Sequence, residues 1–324
     1  MAEPIVRPAA EADMAGVRTV AGRFGLLGLW PERPDFVDAE REFGEVLVGE
    51  VDGAIVGFGG TLRRGTVTHL GDLFVLADHQ SSGVGRTILS RLLPGDTPKV
   101  TFASNDRRAL ALYVRNGMRP RCPLFYLTRR PPAEQGTRRE SGQATRGEAD
   151  LPAADLRAAD LPAADLRAAG EADVRAAAMD AHVSGGDRTP TLTWYAGLPG
   201  VTLHVSGSGY AFVRTAGDQV VIGPAGGATP QDCADIVLEA ADAHHGAVPV
   251  HLPVHGPARA PSHGPAQTPV HGPGHLPVHV AVPGTHPLLA LLLEAGWHIG
   301  DMDTLMTSED VMRLDCYIPH PDLG

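Results

Sequence analysis

A glycine-bearing loop between two apolar segments is the first stretch of the sequence that could bind a ligand. It reads Gln80-x-x-Gly83-x-Gly85, after the apolar run at 73–76 and before a helical pattern at 86–93. Glycines let a backbone approach a ligand closely, and the free N–H groups at a helix N terminus favour an anion. The spacing matches neither the dinucleotide-binding fingerprint nor a P-loop. The glycines could serve turn geometry alone, but the other motifs of the first half favour a pyrophosphate site at this loop.

An asparagine and a tyrosine stand eight residues apart in the segment 105–118. Eight residues are about two helical turns, so Asn105 and Tyr113 would share one face of the predicted helix. Asn105 is expected to cap this helix, and the Tyr113 phenol could give a proton to a leaving group. A packed core tyrosine and an ordinary helix cap are the alternative interpretations.

These motifs resemble those of the GCN5-related N-acetyltransferases, the GNAT family. The loop resembles the coenzyme A loop of that family, and the later segment resembles its helix signature at Asn105, Ala109, Tyr113, Gly117 and Met118. The resemblance implies acetyl-CoA as co-substrate, with Asn105 bonded to the pantetheine arm and Tyr113 protonating the departing thiolate. It also implies cofactor contacts from the backbone of two strand residues and from the loop: Phe74, Val75, Gln80, Ser81, Ser82, Gly83, Val84, Gly85, Arg86 and Thr87.

Two residues on the strand before the loop are candidates for the general base. Asp72 is the carboxylate nearest the reacting end, and His69 lies three residues before it. Transfer of an acetyl group to an amine requires the neutral amine, so a carboxylate or an imidazole is expected there. A solvated aspartate and a surface histidine are equally compatible with the sequence.

The apolar periodicity predicts the elements that must position these residues. A helix is predicted from residue 11, and a hairpin turn at Asp52-Gly53. Strands of the first half are predicted at 5–9, 46–51, 54–61, 67–76, 99–103 and 122–128.

The second half repeats this pattern after a spacer. Residues 131–165 include most of a repeated decapeptide and are predicted to be a linker. At the positions aligned with Asn105 and Tyr113 the second half carries Gly284 and Leu292, and it has no Q-x-x-G-x-G loop. Residues 166–316 are therefore predicted to be a degenerate GNAT-like domain.

A histidine- and proline-rich insert is predicted at about 244–279. It carries eight histidines among V-H-G-P repeats, and these side chains could bind Zn²⁺ or Ni²⁺. Their irregular spacing does not fit a tetrahedral site. We expect a disordered surface excursion there and assign no metal.

Composition narrows the class of protein. The formal net charge of −11 at pH 7 is opposite to the basic face that nucleic-acid binding requires. The three cysteines show no paired spacing, and no apolar run reaches the roughly 18 residues of a membrane span. We expect a cytoplasmic protein with no nucleic-acid or membrane partner, and a homodimer is compatible with the sequence.

Together these features predict an α/β fold of two tandem acetyltransferase-like domains. Each would have a mixed, mostly antiparallel sheet flanked by helices, the first at residues 1–130 and the second at 166–316. The predicted activity is acetyl transfer from acetyl-CoA to the amine of a small molecule by direct attack. A non-catalytic coenzyme A-binding sensor or assembly module is the alternative.

Overall fold

The computed structural model describes residues 4–130, 171–244 and 276–324 of the 324-residue chain. The predicted linker lies outside the described residues, as does most of the predicted insert. Strand β10 begins at Val278 and contains His279, so the insert ends earlier than the predicted boundary of about 279.

Six strands and four helices make up the first half. The helices are α1 (Met14–Arg23), α2 (Phe36–Phe43), α3 (Val84–Leu92) and α4 (Arg107–Arg115). The strands are β1 (Ile5–Pro8), β2 (Gly44–Val51), β3 (Ala54–Arg64), β4 (Val67–Val75), β5 (Lys99–Ala103) and β6 (Arg119–Arg129).

The predicted hairpin turn joins β2 to β3. Asp52 and Gly53 both have positive φ angles, of 50° and 78°. Asp and Gly are the residues that tolerate this left-handed backbone in a two-residue turn. The turn sets the register in which β2 and β3 pair.

The second half repeats this order. Its helices are α5 (Glu171–Val183), α6 (Thr189–Ala196), α7 (Pro230–His244) and α8 (Leu288–Glu294). Its strands are β7 (Val201–Ser206), β8 (Gly209–Ala216), β9 (Gln219–Gly227), β10 (Val278–Pro283), β11 (His298–Thr307) and β12 (Tyr317–Ile318). Residues 317–324 lie beyond the predicted second domain but belong to the fold, because β12 pairs with β9.

One sheet runs through both halves, in the order β1-β2-β3-β4-β5-β11-β6-β10-β9-β8-β7. The mixed, mostly antiparallel sheet flanked by helices confirms the predicted fold class, with the difference that the two sheets are joined. The halves also exchange strands. β11 of the second half lies between β5 and β6, and β6 of the first half lies between β11 and β10.

The exchange gives the two halves a shared hydrophobic core. One buried cluster includes Val17 and Phe58 from the first half and Tyr195 and Leu305 from the second. Two further clusters lie under the other helices, with Ile88 of α3 in one and Val237 of α7 in the other. Since burial of apolar area is the main stabilising term, neither half is independent of the other.

The two halves differ where their central parallel strands separate. β4 and β5 pair from Thr68 to Leu70, and β9 and β10 pair over the corresponding residues from Val220. Beyond that point β4 and β5 leave a gap. In the second half β12 fills the corresponding gap by pairing with Ala225 and Gly226 of β9.

Candidate active site

A cleft opens where β4 and β5 separate. It has a volume of about 470 Å³. Its wall combines the end of β4 with one face of α4, and it also includes Tyr126 of β6 and several residues of the second half. The separation of two parallel strands therefore places parts of both halves around a single cavity.

The predicted cofactor loop follows β4, whose residues line this cleft as far as Phe74, and the loop is held by its own polar side chains. Gln80 Nε2 donates to the Val75 carbonyl oxygen at 3.0 Å, and Ser82 Oγ donates to the His79 carbonyl oxygen at 2.6 Å. Ser81 and Gly83 have φ angles of 67° and 94°. Two residues in the left-handed region turn the chain sharply into α3.

The N terminus of α3 has the geometry of an anion site. Its N-cap is Gly83, which has no side chain to accept from the helix amides. Thr87 donates to the Gly83 carbonyl at 2.9 Å, so the amides of Val84, Gly85 and Arg86 precede the first intrahelical bond. Free amides at the positive end of a helix dipole favour a phosphate, and the exposed Arg86 side chain adds a positive charge there.

The edge of β4 that faces the gap can take a ligand in the manner of a strand. The Leu76 N–H donates to Val56 of β3, and alternation along a strand then directs the Val75 N–H away from β3, toward the gap. The predicted backbone contact at Val75 fits this arrangement, whereas the same alternation directs the Phe74 N–H toward β3. Of the two residues, only Phe74 lies in the wall of the cleft.

The N-cap of α4 lies one residue after the predicted position. Asp106, rather than Asn105, is the N-cap of α4, and its carboxylate accepts from the amides of Arg108 and Ala109. A charged acceptor at the positive end of the helix is the better cap. Asn105 instead donates from Nδ2 to the Met302 carbonyl of β11 at 3.0 Å, and its side chain is exposed beside the cleft.

Tyr113 lies on α4 and faces the cleft. The residue is 6% exposed. Burial raises the pKa of its phenol, and the charges of Asp72 and Asp303 raise it further. The hydroxyl is therefore protonated at neutral pH, as a proton donor must be.

Asp72 lies at a bulge in β4 beside a second buried carboxyl, Glu40 of α2. Asp72 pairs with Gly60 of β3 while Leu70 pairs with Thr61, so Gly71 is the extra residue. Glu40 packs against Gly60 and Gly71, where a Cβ on either glycine would overlap its carboxyl oxygens. The two glycines thus make room for Glu40 next to Asp72.

The two carboxyls are almost inaccessible to solvent and titrate abnormally. Glu40 is 0% exposed and Asp72 is 7% exposed. Burial raises the pKa of Asp72 to about 7, a hydrogen bond with Glu40 lowers it, and the charge of Asp322 raises it. Burial raises the pKa of Glu40 well above its ordinary value, and the charge of Asp72 adds to this effect. Burial therefore favours the neutral form of Glu40, while Asp72 can change its charge near neutral pH.

His69 is buried away from the cleft wall. Its ring packs 5.1 Å from the Phe102 ring between centroids. Burial holds the pKa of His69 well below its ordinary value, and the charge of Arg64 lowers it further. The structure thus brings Asp72 and Tyr113 into one cavity and leaves the other predicted base, His69, behind its wall.

The second half supplies further acidic groups to the cleft. Asp301 and Asp303 of β11 lie in the wall, together with Asp322 of the C-terminal segment. Tyr126 Oη donates to Asp303 Oδ2 at 2.8 Å, and Trp30 Nε1 donates to Asp322 Oδ2 at 2.8 Å. Burial raises the pKa of Asp322 to about 6.

Sequence reasoning missed Glu40 and the aspartates of the second half. Glu40 follows Phe36 and Val37 on the buried face of α2, so a carboxylate on an apolar helix face was the available signal. Asp303 carried no such signal, because only the strand exchange brings β11 to the cleft. Asp322 carried none either, since it lies in the C-terminal segment after β12.

The described parts of the chain contain neither a metal-binding cluster nor a membrane-spanning helix. No cluster of three or more His, Cys, Asp or Glu side chains there could hold a metal ion. Among the same residues, no helix combines the length and apolarity needed to cross a membrane.

Comparison with known proteins identifies the relatives of this arrangement. Residues 42–119 match the family model described as acetyltransferase (GNAT) domain. The sequence matches no curated protein. Similar solved structures include an acetyltransferase from Pyrococcus horikoshii, which is 15% identical with a TM-score of 0.63 and covers 100% of this chain and 97% of its own.

Two further structures share the fold along nearly the whole chain. A GCN5-related N-acetyltransferase from Kribbella flavida is 15% identical, with a TM-score of 0.52 and coverage of 96% of this chain and 72% of its own. A tandem GNAT protein from the clavulanic acid biosynthesis pathway is 14% identical, with a TM-score of 0.51 and coverage of 95% and 99%. At these identities the structural likeness shows the fold alone.

Proposed function

We propose that the protein transfers an acetyl group from acetyl-CoA to a small-molecule amine. The proposal is supported by the match of residues 42–119 to the acetyltransferase (GNAT) domain model and by the similarity of the fold to that of a tandem GNAT protein. One observation carries the proposal. A buried carboxyl with a pKa of about 7, Asp72, and a protonated phenol, Tyr113, share one cleft beside an uncapped helix N terminus. Acetyl transfer needs a base for the amine, an acid for the leaving sulfur and an anion site for the pyrophosphate, and these three groups could supply them.

The residues of the first half fit coenzyme A. The amides of Val84, Gly85 and Arg86 would hold the pyrophosphate, with Gln80 and Ser82 fixing the loop. The gap-facing edge of β4 would pair with the amides of the pantetheine arm. The second half supports this placement, since β12 pairs with β9 at the positions that correspond to Leu73 and Phe74.

The chemistry follows from the two side chains in the cleft. The acceptor nitrogen forms a bond to the thioester carbonyl carbon, the carbon–sulfur bond breaks, and the sulfur leaves with the bonding electrons. Asp72 takes the proton that the amine nitrogen loses, directly or through water, and Tyr113 gives a proton to the sulfur. The raised pKa of Glu40 favours its neutral form, so Asp72 is the carboxyl of the pair to which we assign the role of base.

The proposal is tested by thiol release from acetyl-CoA in the presence of a panel of primary amines, together with acetyl-CoA titration by calorimetry. We expect Tyr113→Phe to lower kcat about 10²–10⁴-fold and to leave the dissociation constant of acetyl-CoA nearly unchanged. Tyr195→Phe is the matched control. Tyr195 is also buried, its hydroxyl has no partner among the described residues, and it lies outside the cleft.

Each part of the result has a distinct meaning. Tight acetyl-CoA binding without turnover of any amine would favour the coenzyme A-binding sensor. Absence of acetyl-CoA binding would overturn the proposal altogether. Equal activity in wild type and Tyr113→Phe would remove Tyr113 from the mechanism.

A further inference from the structure

A short segment of the first half lines the cleft but is fixed in place by the second half. Residues 24–30, the 24–30 segment, follow α1 and contain a single 3₁₀ turn at Leu26–Leu29. Leu26, Gly28 and Leu29 belong to the cleft wall. None of the residues of the turn is buried. Packing in the hydrophobic core alone therefore does not determine where the turn lies over the cleft.

Trp30 attaches the end of the 24–30 segment to the second half. Its side chain is buried. The indole N–H donates to Asp322 Oδ2 at 2.8 Å, and the guanidinium of Arg214 lies over the ring, 4.1 Å from its centroid. Both partners come from the second half, and a cation over the face of a tryptophan is a favourable contact. The position of this end of the segment is thus set by the second half.

Gln219 of the second half makes a second attachment, in the middle of the segment. Its Nε2 donates to the Gly28 carbonyl oxygen at 2.7 Å, and Gln219 is itself part of the cleft wall. Gln219 is the first residue of β9, which pairs with β8 on one side and β10 on the other. A strand paired on both sides is a rigid support, so the donor has a defined position.

The 24–30 segment lies in the part of the cleft that the proposed cofactor leaves free. The proposed contacts with acetyl-CoA come from β4 and from the loop before α3, and this segment supplies none of them. It shares the cleft wall with Asp72, the proposed base. Leu26 and Leu29 are therefore placed to contact the amine. Because reaction requires the amine to be held in a narrow range of positions, a displaced wall should weaken its productive binding.

We propose that Gln219 is a positioning residue of the acceptor site, which fixes the Gly28 carbonyl and thereby holds Leu26 and Leu29 against the bound amine. This inference rests on the proposed acetyl transfer. It gives the second half a role in acceptor binding through one hydrogen bond between the halves. Gln219 takes no part in bond making or proton transfer. Its loss should therefore act on the KM of the amine and not on kcat.

A Gln219→Met variant keeps the length of the side chain and removes the donor. For the best primary amine of the panel we expect KM to rise about two- to tenfold, with kcat and the dissociation constant of acetyl-CoA nearly unchanged. Gln231→Met is the matched control, because Gln231 Nε2 donates to Asp235 at 2.6 Å on the exposed side of α7, outside the cleft. An unchanged KM in Gln219→Met, or an equal rise in both variants, would overturn the inference.

A mutant cycle tests whether Gln219 acts through the two leucines. Leu26→Ala/Leu29→Ala removes the side chains that Gln219 is proposed to position. In this background Gln219→Met should change KM by less than about twofold, because residues that act through one contact are not additive. The same rise in KM in both backgrounds would show that Gln219 acts independently of the leucines and would contradict its positioning role.

Hydrogen–deuterium exchange separates this inference from the proposed activity. The amides of the 24–30 segment should exchange about two- to tenfold faster in Gln219→Met than in wild type, and at the wild-type rate in Gln231→Met. Unchanged exchange in Gln219→Met would overturn the inference even if amines are acetylated. Faster exchange without turnover of any amine would support the attachment of the segment and refute the acetyl transfer. Thermal denaturation checks that each variant is folded, and Gln219→Ala is a second variant without the donor.

Discussion

The buried pair of Glu40 and Asp72 is central to the proposed acetyl transfer. Glu40 has no solvent exposure, and Gly60 and Gly71 leave the space in which its carboxyl sits. Burial raises the pKa of Glu40 and so favours its neutral form, while the pKa of Asp72 is raised to about 7. A base poised at this pH combines a useful ionised fraction with good proton affinity.

The activity should depend on the ionisation of Asp72. Asp72 acts as a base only when it is deprotonated, so kcat/KM should rise between pH 6 and pH 8 with a midpoint near its pKa of about 7. The neighbouring groups that act on this pKa are Glu40 of α2 and Asp322 of the C-terminal segment. The measurement is a pH–rate profile at saturating acetyl-CoA.

An Asp72→Asn variant provides the comparison for that profile. It should lose about 10²–10⁴-fold in kcat/KM and should lack the ionisation near pH 7. If the pH–rate profile of the variant kept the wild-type midpoint, another group would be the base.

The same carboxyl should lower the stability of the protein at neutral pH. The folded pKa of Asp72 is raised from 3.8 to about 7, so the folded state binds more protons than the unfolded state between these values. Its contribution to stability is therefore largest at low pH and decreases as the pH rises toward 7. The difference in unfolding free energy between Asp72→Asn and wild type should therefore shift in favour of the variant by about 2–3 kcal/mol from pH 5 to pH 8.

Denaturant unfolding at the two pH values measures this difference. Asp310→Asn is the matched control, since Asp310 is 70% exposed at its side chain and lies outside the cleft. A gain of equal size at both pH values would contradict the burial of a titrating carboxylate at position 72.

At the scale of elements, the proposed cofactor site combines two pieces, the loop before α3 and the gap beside β4. The loop supplies amides without a capping side chain, and the strand supplies an unpaired edge. Gly83 joins them with a φ angle of 94°. This backbone conformation is one that glycine adopts at no steric cost.

Gly83→Ala should weaken acetyl-CoA binding because a Cβ in the left-handed region shifts the loop amides. We expect the dissociation constant from calorimetry to rise about tenfold and stability to fall by about 1 kcal/mol. Gly95→Ala is matched, with a φ angle of 73° and the same open surroundings. It should lose similar stability but keep wild-type affinity, and weakened binding in both variants would point to a global effect.

The elements themselves could be predicted from the sequence, since they depend on local patterns. The Asp52-Gly53 turn, the strand ending at Val75 and the helix with Tyr113 follow from alternation, turn residues and helical periodicity. The cap at Asp106 was missed because two adjacent residues, Asn105 and Asp106, are both good caps.

The strand exchange could not be predicted in this way. β6 and β11 have the same local pattern whether they pair with their own half or with the other, because alternation specifies a face and not a neighbour. The cleft aspartates of β11 depend on that choice, and so they were invisible to a reading along the chain. Glu40 could be recognised in the sequence as an acidic residue on an apolar helix face, but its contact with Asp72 could not.

At the scale of the whole molecule, the two halves divide one task. The first half carries the loop, Asp72 and Tyr113, and the second half contributes Asp303 and Asp322 to the same cleft. Among the described residues of the second half, β12 occupies the gap beside β9 that corresponds to the opening beside β4. In the proposed function the second half therefore serves as a wall of the site.

The protein should therefore bind one acetyl-CoA per chain. Residues 317 and 318 pair with β9 where a second pantetheine arm would lie, so that site is filled by the chain itself. Calorimetry should give a stoichiometry of one. Two equivalent sites per chain would contradict the blocked second gap, and Gly83→Ala should affect the single site observed.

The exchange of β6 and β11 also has a consequence for synthesis on the ribosome. β6 ends at Arg129 and β11 ends at Thr307, so about 180 residues must be made before the strand that belongs between β5 and β6 exists. At roughly 5–20 residues per second this takes on the order of 10–40 seconds. During that interval the free edge of β5 and both edges of β6 lack their partners from the second half, and another nascent chain could pair with them. We expect chaperone occupancy in the cell to be highest in this interval, before residue 298 emerges.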